Sequence, residues 1–174
     1  MEEKKYAVLI DGDNISSKYL DSILNEMTKY GIATYKRIYC DFTSQQSSKW
    51  RRLVRDSGIQ AMQQFANTVG KNATDSTLII DAMDILYTGN VDGFCIVSSD
   101  GDFTRLAIRL KESGMDVIGM GESKTPRSFR AACTVFTDLE ILYEAESEDD
   151  EISTKGKKPA VKHNVVKVSE IENV

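Results

Sequence analysis

Two stretches of the chain end an apolar run in carboxylates around a glycine: VLIDGDNI at residues 8–15, with Asp11 and Asp13, and CIVSSDGD at residues 95–102, with Asp100 and Asp102. Carboxylates aimed at one crevice repel one another and raise each other's pKa unless a cation neutralises them. An all-oxygen donor set points to Mg²⁺ or Mn²⁺, which accept a few carboxylates and keep several waters. His163 is the only histidine and Cys40, Cys95 and Cys133 form no CxxC pair, so an ordinary zinc site is excluded. Cys40 and Cys95 lie in apolar runs and read as reduced core thiols. A calcium loop is excluded by spacing: its glycine and glutamate positions fall on Ser16 and Ser22 counted from Asp11, and on Arg105 and Lys111 counted from Asp100.

A third carboxylate comes from the helical stretch that begins at Asp75. At about 100° per residue, Leu78, Ile79, Ala82 and Leu86 share one face with Asp75 at its middle. Asp81 lies roughly 120° off that stripe and Asp84 about opposite it. Asp75 is therefore expected to look toward the sheet, Asp81 to serve as a secondary candidate acting on stability or strand contact, and Asp84 to be solvated. Capping a helix start would explain Asp75 or Asp102 singly without any chemistry.

The elements that must position these groups follow from the hydrophobic pattern. Apolar runs and period-3.6 stretches alternate along the first 143 residues, the signature of an α/β fold with a mainly parallel sheet. Strands are expected at 6–10, 32–39, 59–65, 93–98, 115–120 and 135–137, and helices at 17–30, 47–57, 75–88, 103–113 and 126–132. Gly31, Gly58 and Gly114 each follow a helical stretch, where a left-handed glycine would stop it. In such a sheet ligands gather outside the carboxyl ends of the strands, so Asp11, Asp13, Asp100 and Asp102 face one crevice if the first and fourth strands are neighbours.

At 174 residues the chain suits one folded domain, expected over 1–143. Residues 144–174, acidic and then basic with no sustained apolar period, are expected to form a charged, disordered tail or linker. No apolar run approaches the ~20 residues needed to cross a bilayer, and the start shows no signal-peptide core, so a cytoplasmic protein with no membrane partner is expected.

The net charge of −5 hides a basic segment. From Lys29 to Lys71 there are eight basic residues against Asp41 and Asp56, with Trp50 inside the run KWRR. Trp50, Arg51, Arg52 and Arg55 suit a single nucleic-acid strand, through base stacking and phosphate pairing. The competing reading is a solvated helix face with Trp50 in the core.

Five blocks, in order, carry a resemblance: VLIDGDNI, Trp50 ahead of GIQ, GKNATDSTLIIDAMDILYTG, GFCIVSSDGDFTRLAIRL and GMGESKTPRSFRAAC. Between about Tyr6 and Tyr143 the chain resembles the NYN domain of the PIN-like nuclease superfamily, in particular the bacterial LabA-like group. That resemblance implies a Rossmann-like three-layer α/β/α fold, a divalent metal and cleavage of RNA. It places the acidic centre on Asp11, Asp75, Asp100 and Asp102, matches Asn14 to the motif's amide, and matches Lys71 and Asp81 to its helix block. The OST-HTH module that many relatives carry downstream is not seen in this sequence.

The reading is therefore a Mg²⁺- or Mn²⁺-dependent ribonuclease. Asp11 and Asp100 would be direct ligands, Asp75 and Asp102 would hold the metal or its waters, and Asn14 would orient Asp11 or the scissile phosphate. Lys71, Arg51, Arg52 and Arg55 would hold a single-stranded RNA, and a homodimer is left open. Two alternatives stand beside it: a non-catalytic RNA-binding or scaffolding module, and a haloacid-dehalogenase-type phosphatase with Asp11 as nucleophile and Asp13 as acid. Against the phosphatase, Ile15 stands where its D-x-D-x-[T/V] motif wants Thr or Val.

Overall fold

The computed structural model describes residues 2–65 and 73–155, with 73–76 as backbone alone. Its strands are β1 (Lys5–Asp11), β2 (Ile32–Cys40), β3 (Gln60–Gln63), β4 (Gly93–Val97), β5 (Asp116–Gly121) and β6 (Val135–Asp138). They form one sheet in the order β3-β2-β1-β4-β5-β6, and every pairing is parallel.

Both faces of this sheet are covered, which is why β1 and β4 read as continuous apolar runs. On one face Tyr6, Val8, Ile10, Cys95 and Val97 pack beneath α1 (Leu20–Met27), α2 (Ser48–Ser57) and α6 (Leu139–Lys155). On the other, Ala7, Leu9, Phe94 and Ile96 pack beneath α3 (Ala73–Thr88), α4 (Thr104–Glu112) and α5 (Arg127–Ala132). The result is the three-layer α/β/α arrangement expected from the alternating pattern. No helix among the described residues is long and apolar enough to cross a membrane.

Chain order reverses between β1 and β4, the central pair of the sheet. At such a switch point the loops leaving the two strands turn to opposite faces and leave a crevice. Ile10 pairs with Val97, so Asp11 and Ser98 come next, side by side, at the carboxyl edge.

Two local expectations need correction. Gly58 and Gly114 do stop their helices in the left-handed region, at φ 65° and 81°, as does Gly89 at 73°, but Gly31 does not. Gly31 is required by space: a Cβ there would lie 2.2 Å from the Lys4 carbonyl oxygen. The folded part also continues past Tyr143, because α6 runs through Lys155. Its charged run is a solvated helix face anchored at its start, with Leu139 buried, Tyr143 edge-on to Tyr19 at 5.5 Å, and the Ser22 hydroxyl donating to Glu146 at 2.5 Å. Residues 156–174 of the expected tail lie outside the described residues.

Candidate functional site

Asp11 closes β1 and is fully buried. Its Oδ2 accepts two hydrogen bonds, from Ser98 Oγ at 2.7 Å and Asn14 Nδ2 at 2.9 Å. Its Oδ1 is buried and has no hydrogen-bond partner among the described residues. Burial pushes the carboxyl up to about 6; the bonds from Ser98 and Asn14 oppose this, and the charges of Asp13 and Asp100 add to it. A buried, half-satisfied carboxylate of this kind is costly and calls for an explanation from function.

Ser98 links the two acidic turns. While donating to Asp11 it accepts the Asp100 backbone N–H at 3.0 Å, and Asp100 in turn caps the next turn by accepting from the Asp102 N–H at 2.9 Å. The glycine at the first turn serves close approach: a Cβ on Gly12 would stand 2.8 Å from the Ile38 side chain and 3.1 Å from Cys40 Cβ. Asp13 is exposed, and its Oδ1 accepts from the Asp41 N–H at 3.2 Å, tying the turn to the exit of β2.

Asp11, Asp13, Asn14 and Asp100 are thus brought together. Asp102 is exposed and helps wall a cavity of about 490 Å³ between α3 and α4, beside Ile79, Met83 and Arg105. Asp75 sits in the first turn of α3, but its side chain, like all of Lys71, lies outside the described residues. Among the described residues no three Asp, Glu, His or Cys side chains are gathered at metal-binding distance.

Asp81 corrects the facing argument. It is not turned away from the sheet: its Oδ2 accepts from Tyr39 OH at 2.7 Å and pairs with Arg37 Nη1 at 3.1 Å, pinning α3 to β2. The fully packed residues of this helix are Leu78, Ala82 and Ile85, while Ile79 and Leu86 are only partly buried. Asp84 is exposed, as expected.

Trp50 also requires correction. It is 3% exposed, so its ring offers no face to a nucleic-acid base. Instead its indole N–H donates to the carbonyls of Gly12 at 3.0 Å and Ile15 at 3.3 Å, clamping the acidic turn. Arg51 is committed to the loop before α2, where one guanidinium nitrogen donates to Phe42 O at 2.5 Å, Ser44 O at 3.0 Å and Ser47 Oγ at 3.2 Å. Arg52 and Arg55 are exposed.

Two features escaped the sequence reading. Ser98 carried a signal, since it is the polar residue that ends an apolar strand next to the acidic turn. The Arg37–Tyr39–Asp81 contact carried none, because its members are remote in sequence and their types are common on any half-buried surface.

The chain belongs to the NYN domain family, whose model matches residues 5–140, and so to the PIN-like nuclease superfamily. It is 27% identical over 125 residues to the uncharacterized protein MJ0482 of Methanocaldococcus jannaschii, a match covering 68% of this chain and 48% of that protein. The chain thus spans about half the length of this relative. The fold is similar to the crystal structure of VPA0982, a protein of unknown function from Vibrio parahaemolyticus, with a TM-score of 0.64 at 19% identity over 79% of this chain and 96% of that one.

Proposed function

We propose that the chain is a metal-dependent ribonuclease that hydrolyses RNA phosphodiester bonds at the carboxyl edge of β1 and β4. The observation that carries this reading is the buried Asp11 carboxylate, fixed through Oδ2 and left without a partner among the described residues at Oδ1, with Asp100 beside it. Such a donor set fits a hard divalent cation, Mg²⁺ or Mn²⁺. When bound, that cation supplies a counter-charge for the phosphodiester transition state and activation of the attacking water.

The residues divide the remaining work. Asp11 and Asp100 would hold the cation, with Asp75 and Asp102 holding it or its waters from α3 and the turn before α4. Ser98 and Asn14 fix the Asp11 carboxylate in one orientation, so that no reorganisation is needed when charge develops. Trp50 holds the loop that carries Asp13 and Asn14.

The second reading is a non-catalytic RNA-binding module of the same family. Labelled single-stranded RNA, incubated with and without Mn²⁺ beside an Asp100→Asn control, separates the two. Cleavage that needs Mn²⁺ and is lost in Asp100→Asn supports the nuclease; RNA bound but uncut under both conditions supports the module. The phosphatase is set aside on family membership.

A further inference from the structure

Two cavities join on the sheet face covered by α1 and α2. The first, about 510 Å³, opens beside Asp13 and Asn14; the second, about 490 Å³, continues it, because Ser16, Ser17 and Lys49 line both. Each is in the range of ~300–1,000 Å³ usual for ligand sites. The cations on the lining are Lys18, Lys49 and Arg52. The lining carboxylates are Asp13 on the first cavity and Asp21 on the second, so three cations face two carboxylates on a groove rich in serine hydroxyls.

Lys18 is held in place, its ammonium 5.0 Å from the Tyr19 ring centroid and 5.3 Å from that of Tyr143. Lys49 and Arg52 stand three residues apart on α2, neighbours on one helix face. Among the described residues the only aromatic side chain on the lining is Trp50, and its ring is buried.

We propose that this groove is the bed on which the RNA strand leaves the carboxylates, gripped through its phosphates by Lys18, Lys49 and Arg52 and given no surface on which to stack its bases. The proposal deepens the ribonuclease reading by assigning the path of its substrate, and of the arginine and tryptophan set that the sequence suggested it keeps Arg52. Contacts of this kind position a strand without reading its sequence, so binding on this side is salt-dependent and nearly indifferent to base identity.

The test is the affinity of labelled single-stranded RNA across a salt series in EDTA, where no cleavage intervenes. For single strands the slope of log affinity against log salt is about 0.7 per phosphate contact, so Lys49→Ala/Arg52→Ala loses about 1.4 of slope. Lys111→Ala, an exposed cation at the end of α4, keeps the wild-type slope. Homopolymers of different bases bind within a few-fold of one another. An unchanged slope in the double variant, an equal loss in Lys111→Ala, or no binding by the wild-type chain overturns the groove. Binding whose slope depends on Lys49 and Arg52, in a chain that never cuts RNA, overturns the ribonuclease and leaves the groove standing. Cleavage with an unchanged slope does the reverse.

Discussion

Replacing Asp11 with Asn tests whether the centre of the site is held under electrostatic strain. The Asp11 carboxyl is pushed up from 3.8 to about 6, mainly by burial. Below about pH 3.8 it is protonated in both the folded and the unfolded chain, and no penalty exists. Between there and about pH 6 the unfolded chain releases its proton more readily than the folded one, so stability is lost as pH rises through the folded value. At about 1.4 kcal/mol per unit, the loss reaches about 3 kcal/mol at neutral pH. Asparagine keeps an acceptor for Ser98 and Asn14 but cannot ionise, and the cost of its unpartnered amide is the same at every pH. The difference in unfolding free energy between variant and wild type, measured by urea denaturation in EDTA, should therefore grow in favour of the variant by about 3 kcal/mol from about pH 3 to about pH 7.5. That corresponds to roughly 6–12 °C in Tm for a domain of this size. Mn²⁺ at 100 times its Kd should then restore about 2.7 kcal/mol to the wild type and nothing to the variant. A difference that stays flat with pH would refute the argument.

Asp75→Asn should raise the Mn²⁺ concentration for half-maximal cleavage sharply, and Asp81→Asn should leave it near wild type; equal shifts would place Asp81 at the metal. Asp81→Ala strands the Tyr39 hydroxyl and the Arg37 guanidinium, both largely shielded, and should cost about 1–3 kcal/mol by urea denaturation, against a null result within ~0.5. Because Trp50 is the single tryptophan and is buried, its emission maximum should not move when single-stranded RNA binds, whereas a quench and shift would mean that it stacks on a base. Trp50→Phe leaves the Gly12 and Ile15 carbonyls unpartnered and should lower stability by about 1–2 kcal/mol without changing the salt slope of RNA binding. Gly12→Ala drives a methyl into Ile38 and Cys40 and should cost about 1–3 kcal/mol with a matching fall in cleavage, since the acidic turn must shift; wild-type activity would show that the turn tolerates movement.

The sheet was legible because parallel strands buried on both faces announce themselves locally, as in VLI before Asp11 and FCIV before Ser98. Each expected strand and helix exists near its expected place, and the meeting of Asp11 with Asp100 follows once β1 and β4 pair. What local pattern could not supply was the order of the strands, which depends on contacts between distant segments. It also could not say that the charged run after Tyr143 is helical, because α6 is held at its base by Leu139, Tyr143 and Glu146 while the rest of its surface is polar.

The acidic helix shows most clearly where periodicity runs out. Counting Ile79 and Leu86 as equal to Leu78 and Ala82 put the centre of the apolar face near Asp75 and left Asp81 far from it. Packing weights them differently: Ile85 is buried, and Ile79 and Leu86 only flank the core. With Leu78, Ala82 and Ile85 as the true stripe, Asp75 and Asp81 lie about 60° to either side of it, so angle no longer separates them. Position along the axis does, by about 9 Å. Asp81 is spent on Arg37 and Tyr39 of β2, whereas Asp75 lies six residues earlier, in the turn that opens α3. In a layered α/β fold the charged edge is a matter of height above the sheet, and a helical wheel discards that coordinate.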